Sequence, residues 1–186
     1  VEDSNLNQAL DNALRFATGV TLVNGRAAAL SCDESCAEVT LDDGNRISAA
    51  LVVGADGAHS WVRTQVGIGM DYRSYHQHAV VANFSCTKPH HGVASQWFLG
   101  ADGIVALLPL PGNQVSLVWS APEALADQLL SESPERLCER LESLPGQALG
   151  EFVMLAPAKP KAFPLRLIRS HSLIAHRIAL VGDAAH

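Results

Sequence analysis

Leu6, Leu10, Ala13, Leu14 and Ala17 recur at three- and four-residue steps, the period of a helix with one apolar stripe. Asp3 or Ser4 stands in position to cap it, and Gly19 ends it. Beyond Gly19 the period shortens to two. Val20 to Val23 reads as a short strand and Ala37 to Leu41 as another. Asp42-Asp43-Gly44-Asn45 lies between apolar runs and predicts a hairpin turn. The returning strand starts at Arg46 and is expected to run on into Leu51-Val52-Val53. Four further strands are predicted, from His78 to Cys86, Gly92 to Leu99, Ile104 to Pro109 and Gln114 to Ser120. The turns between them carry Lys88-Pro89, Ala101-Asp102-Gly103 and Pro111-Gly112-Asn113, so the stretch reads as an antiparallel sheet. Pro122 to Leu130 and Pro134 to Leu144 predict helices with proline in the first turn. Phe152 to Leu155 and Ala162 to Ile168 are extended. Residues 171–186 return to the earlier pattern and include a short buried strand from Arg177 to Val181.

The order is therefore an α/β piece, an antiparallel insertion, and the α/β piece again. The fold class is α/β with an α+β insertion. Domain bounds fall at residues 1–70 and 166–186 for the α/β part and 71–165 for the sheet with its helices. No internal repeat or low-complexity segment interrupts this order.

Composition narrows the function classes. With 48% hydrophobic and 17% charged residues the chain is globular. Net charge is −6, and lysine occurs only at positions 88, 159 and 161, which argues against a nucleic-acid partner. No apolar run reaches the length of a membrane span, and no signal peptide is visible. Cys32, Cys36, Cys86 and Cys138 are irregularly spaced, which fits free thiols in a reducing, cytoplasmic setting. Cys32-x3-Cys36 has no second pair beside it, so no metal site is expected. There is no initiator methionine, and the chain stops abruptly at His186, which together suggest an internal fragment of a longer protein.

Two apolar strands end in glycine and aspartate. One is Leu51-Val52-Val53-Gly54-Ala55-Asp56-Gly57; the other is Ile178-Ala179-Leu180-Val181-Gly182-Asp183-Ala184-Ala185-His186. Ligands of open α/β sheets bind outside the carboxyl ends of strands, where both carboxylates sit. Ser60 and Arg63 follow the first motif at a spacing that suits the opening turn of a helix. Each residue has two readings. Asp183 either meets a ligand or caps a following helix. Asp56 either meets a ligand or bonds local backbone and pairs with Arg63. Arg63 serves either nucleotide phosphates or that salt bridge.

Gly54-Ala55-Asp56-Gly57-Ala58-His59-Ser60-Trp61-Val62-Arg63 resembles the "DG" motif of FAD-dependent aromatic hydroxylases, the class A flavoprotein monooxygenases of the p-hydroxybenzoate hydroxylase fold. Gly182-Asp183-Ala184-Ala185-His186 resembles their "GD" motif. Tyr75 to Ala82, Gly103 to Leu110, Val115 to Ser120 and Phe163-Pro164-Leu165 are similar to stretches of the ubiquinone-biosynthesis hydroxylase subfamily. The likeness spans nearly all of the chain. The family's G-x-G-x-x-G phosphate loop and the segment beyond the GD histidine are missing from it.

The resemblance implies a partial FAD-binding Rossmann-like domain and an antiparallel-sheet substrate domain with helices. It implies FAD as cofactor and NAD(P)H as reductant in the parent enzyme. The reaction implied is hydroxylation of an aromatic ring through a flavin C4a-hydroperoxide, with no catalytic side chain in this stretch. The substrate implied is a small aromatic or quinone precursor, a polyprenylated phenol met at or near the inner membrane, with peripheral membrane or biosynthetic-complex association. The fragment alone is expected to be inactive. The cofactor-binding residues implied are Asp183, as acceptor from a ribityl hydroxyl, with Gly182, Asp56, Gly57 and Arg63. Two other readings stay open: a flavin hydroxylase of a soluble aromatic, and a non-catalytic α/β binding domain.

His76-x-His78 on a strand would point both rings to one face, although no third ligand is evident. Trp97, Phe98, Leu107, Leu108 and Trp119 alternate as sheet residues, and the Gln96 to Leu110 region is expected to contribute to a substrate pocket.

Overall fold

The computed structural model describes residues 3–156 and 159–186 and divides into two compact units. Residues 17–73 and 166–186 form the first; residues 1–16 and 74–165 form the second. The N-terminal helix, expected with the α/β part, groups with the antiparallel unit. The coil that follows it contributes no ladder to tie it elsewhere.

The helix α1 (Asp3–Phe16) has the predicted leucine stripe. The cap expected from Asp3 or Ser4 involves side chains outside those described. The strand expected at Val20 to Val23 is absent: this stretch is exposed coil. A strand that the pattern missed follows instead. β1 (Ala27–Cys32) pairs antiparallel with β2 (Ala37–Leu41), which pairs antiparallel with β3 (Arg46–Ala49). The Asp43-Gly44 turn joins the last two as expected, with Asp43 accepting the Asn45 N–H at 2.9 Å.

The chain does not run straight on from β3. It breaks at Ala50-Leu51 and enters a different sheet as β4 (Val52–Gly54). That sheet has the order β11-β12-β4, where β11 is Ile174–Ala175 and β12 is Ile178–Leu180. Arg177, expected inside the last strand, lies in the tight turn before it with φ 59°. Its guanidinium donates to the carbonyls of Asp33, Glu34 and Ala50, so it fastens both the β1–β2 turn and the break between sheets. Between β4 and the next long strand lies α2 (Trp61–Gln65).

Mostly in the other unit, β5 (Met70–Cys86), β6 (Ser95–Phe98), β7 (Ile104–Leu110), β8 (Gln114–Pro122) and β10 (Lys161–Ser170) form a sheet of order β10-β5-β8-β7-β6. β9 (Phe152–Met154) pairs with the end of β5. The helices α3 (Glu123–Ser131) and α4 (Pro134–Glu142) supply Ala126, Leu129, Leu137 and Leu141 to a core shared with Val80, Phe84, Val105, Leu107, Leu117 and Trp119. Ser133 caps α4, accepting the Arg136 N–H at 3.3 Å, with Pro134 at the first helical position.

Strand alternation leaves this sheet with two different faces. Val105, Leu107, Leu117 and Trp119 are buried beneath the helices. Their neighbours Ala106, Val118 and Ser116 are half-buried on the opposite face, with Leu108 and Phe98 exposed. The aromatic and aliphatic residues singled out by sequence therefore separate. Trp97, Leu107 and Trp119 belong to the core side, whereas Phe98 and Leu108 belong to the open side.

The alternation fails at His76, which takes φ 53° inside β5. His76 is exposed and 3.8 Å from Glu123, while the Nδ1 of His78 is buried and meets no partner. Cys32, Cys36, Cys86 and Cys138 are free thiols.

Candidate functional site

The site grows from one parallel pairing. β12 lies beside β4 in register, with Ile178 opposite Val52 and Leu180 opposite Gly54. The Val181 N–H donates to the Gly54 carbonyl at 2.9 Å. Parallel strands end on the same side, so the two Gly-Asp turns are brought together at one edge of the sheet. Buried Ile178 and Leu180 anchor one strand, and α2 covers them through Val62.

Gly54 permits this closeness. A Cβ there would meet Leu180 Cδ2 and Val62 Cβ, each at 2.9 Å. Any larger residue would push the helix off the strand.

Asp56 faces the start of α2. Its Oδ2 accepts the Val62 N–H at 3.0 Å. Burial pushes the Asp56 carboxyl up, but hydrogen bonds from Ser60 and the Val62 N–H outweigh it and hold the group below the usual carboxylate range. Ser60 is fully buried, and its Oγ accepts the Arg63 N–H at 3.0 Å. The first turn thus has two of its otherwise unpaired N–H groups satisfied by side chains.

Arg63 is only 3% exposed. It makes no ion pair with Asp56. Its Nη2 donates to the Ala58 carbonyl at 2.7 Å and its Nη1 to the Ala184 carbonyl at 2.9 Å. One guanidinium therefore bridges the first turn to the second. Ser170, also buried, turns its hydroxyl to the same Ala184 carbonyl at 3.4 Å. The spacing of Ser60 and Arg63 announced the helix start, but no local signal marks Ala58, Ser170 or Ala184 as partners.

The second turn, Gly182–Ala184, is a single 3-10 turn, with the Ala185 and His186 N–H groups both donating to the Gly182 carbonyl. Ala184 and Ala185 are buried, and Asp183 is exposed. Asp183 caps no helix within the described residues. Gly182 (φ 57°) and Gly57 (φ 83°) both have open space where a Cβ would lie. An anchored frame thus presents two bare backbone turns and one carboxylate without a partner among the described residues. Among the described residues no three His, Cys, Asp or Glu side chains cluster as a metal site.

Two parallel strands ending in glycine turns, one with an exposed carboxylate, form the frame of an α/β domain interrupted by a β-sheet insertion. The FAD binding domain family matches residues 15–186, and the chain belongs to that family. It is 39% identical to the ubiquinone hydroxylase UbiL of Rhodospirillum rubrum over 188 residues, which is 100% of this chain and 43% of the relative. It is 37% identical to the 3-demethoxyubiquinol 3-hydroxylase of Escherichia coli, covering 100% of this chain and 47% of the relative. Among solved structures it is similar to PqsL, a probable FAD-dependent monooxygenase from Pseudomonas aeruginosa. The TM-score is 0.75 at 25% identity, over 99% of this chain and 52% of PqsL. The chain thus spans less than half the length of these two curated relatives.

Proposed function

We propose that this chain is the central part of an FAD-dependent monooxygenase that hydroxylates an aromatic ring, with NAD(P)H as reductant. The observation that carries the reading is the paired Gly-Asp turns, locked together by Arg63 and ending in the unpartnered carboxylate of Asp183. The turns fit FAD. Gly57 and Gly182 leave backbone bare for a close approach, and Asp183 supplies an acceptor for a sugar-chain hydroxyl. Asp56 and Gly57 border the same edge. Arg63 positions both turns rather than meeting the cofactor through a free charge. Bound FAD supplies the redox and oxygen chemistry; the side chains described here bind and orient.

The open face of the sheet, with Ala106, Val118, Phe98 and Leu108, is the surface proposed to orient the ring. The relatives' names point to a quinone precursor. A prenylated phenol partitions into bilayers, so the enzyme would meet it at a membrane surface. No helix among the described residues is long and apolar enough to cross one.

The test is the visible spectrum of the full-length protein with and without added FAD. A flavin spectrum is expected, and Asp183→Ala should weaken FAD retention roughly tenfold or more, the worth of one charge-assisted hydrogen bond. A colourless protein that takes up no FAD refutes the reading. Turnover of a soluble phenol in preference to a prenylated one would replace the substrate assignment and keep the cofactor assignment.

A further inference from the structure

The sequence contains three lysines, and two of them converge on one cavity. A pocket of about 220 Å³ lies beside β5 and β8, lined by Asn83, Ser116, Val81, Leu155, Lys159 and Lys161. No carboxylate lines it. Neither lysine forms an ion pair, and the side chains of Asn83 and Ser116 form no hydrogen bond among the described residues. In a chain of net charge −6, two uncompensated ammonium groups beside one cavity repel each other. Pro160 between them restricts the backbone, so the two cannot drift apart freely.

The donor set specifies the ligand. Two ammonium groups, an amide NH2 and a hydroxyl suit a group with charge near −2 and at least three acceptor oxygens. The cavity is open to solvent and has room for one hydrated oxyanion. Val81 and Leu155 give the wall an apolar side, suited to the carbon that bears the group. We propose that this cavity binds a phosphate group, carried by a soluble ester or by a phospholipid headgroup. Its lining residues all belong to the antiparallel unit.

The test is calorimetric titration of the full-length protein with inorganic phosphate at low ionic strength. Saturable binding is expected. The exposed pair Lys159→Gln/Lys161→Gln should weaken it about tenfold or more, and added salt should weaken it too. Lys88→Gln, the remaining lysine, should leave it unchanged. Equal melting temperatures would show that all variants are folded. Absence of saturable binding overturns the proposal, as does a loss with Lys88→Gln equal to that of the double variant. Sedimentation with vesicles of phosphatidic acid, against phosphatidylcholine, separates the sources. Co-sedimentation abolished by the double variant assigns a headgroup; phosphate binding without co-sedimentation assigns a soluble ester. Co-sedimentation that the double variant leaves intact, with phosphate binding equally intact, overturns both.

Discussion

The Nη1–H of Arg63 donates to the carbonyl oxygen of Ala184, 121 positions further along the chain, at 2.9 Å. The first Gly-Asp turn is thereby held against the second by a side chain that neither turn contains. The guanidinium is buried and planar, so it can donate to both carbonyls from one rigid fork.

Removing that bridge takes the guanidinium donor from the Ala58 carbonyl and leaves the Ala184 carbonyl only the longer 3.4 Å contact from Ser170. Arg63→Ala is expected to cost about 2–4 kcal/mol of unfolding free energy, read by urea denaturation. Arg63→Lys keeps the charge but cannot reach both carbonyls in one plane, so it should recover less than half of the loss. A loss under 1 kcal/mol in the alanine variant would show that the bridge is idle.

Gly54 and Gly182 should respond to alanine for different reasons. At Gly54 the new Cβ collides with Leu180 and Val62, and a destabilisation of about 1–3 kcal/mol is expected. At Gly182 nothing crowds the new atom, and the left-handed backbone alone costs about 1–2 kcal/mol. Thermal melts of the two variants, paired with flavin retention, separate packing from cofactor access. Only Gly182→Ala should lose flavin out of proportion to its melting temperature.

Glu132 at the end of α3 receives both Nε and Nη2 of Arg140 from α4, at 2.8 and 2.6 Å. The Arg140 hydrogen bond, outweighing burial, holds the Glu132 carboxyl below its ordinary 4.5. A depressed carboxyl contributes stability that is present above the unfolded value and lost as pH falls through the folded one. A double-mutant cycle with Glu132→Gln and Arg140→Met should give roughly 1 kcal/mol of coupling at neutral pH. The coupling should vanish in strong acid; one that survives there would contradict the ionic assignment.

Asp33 closes the β1–β2 turn. The Ser35 hydroxyl, then the N–H groups of Cys36 and Ser35, donate to it and lower its carboxyl to about 2. The side chain is exposed, so the effect is local. Its carboxyl carbon shift in NMR should titrate near pH 2, with the turn intact above pH 4. Ser35→Ala should move the midpoint up.

The sequence pattern displayed what is local. The Asp43-Gly44 turn, the alternation in β8 and the proline start of α4 each follow from neighbouring residues. β1 was invisible because Ala-Ala-Ala-Leu-Ser-Cys has no alternation, and only its pairing with β2 makes it a strand. The break after β3 was invisible because Arg177, 127 residues away, holds Ala50 there. The Gly-Asp motifs were legible as a pair, and their residues were named. Which groups hold them together was not, since Arg63 reaches backbone carbonyls that any residue could supply.

β5 and β10 carry the chain out of one unit and back into it, and they are neighbours in the same sheet. Entry and exit of the inserted sheet are therefore adjacent. The two ends of the inserted segment are thus fastened to one another by strand pairing, so changes of length inside residues 74–165 need not separate them.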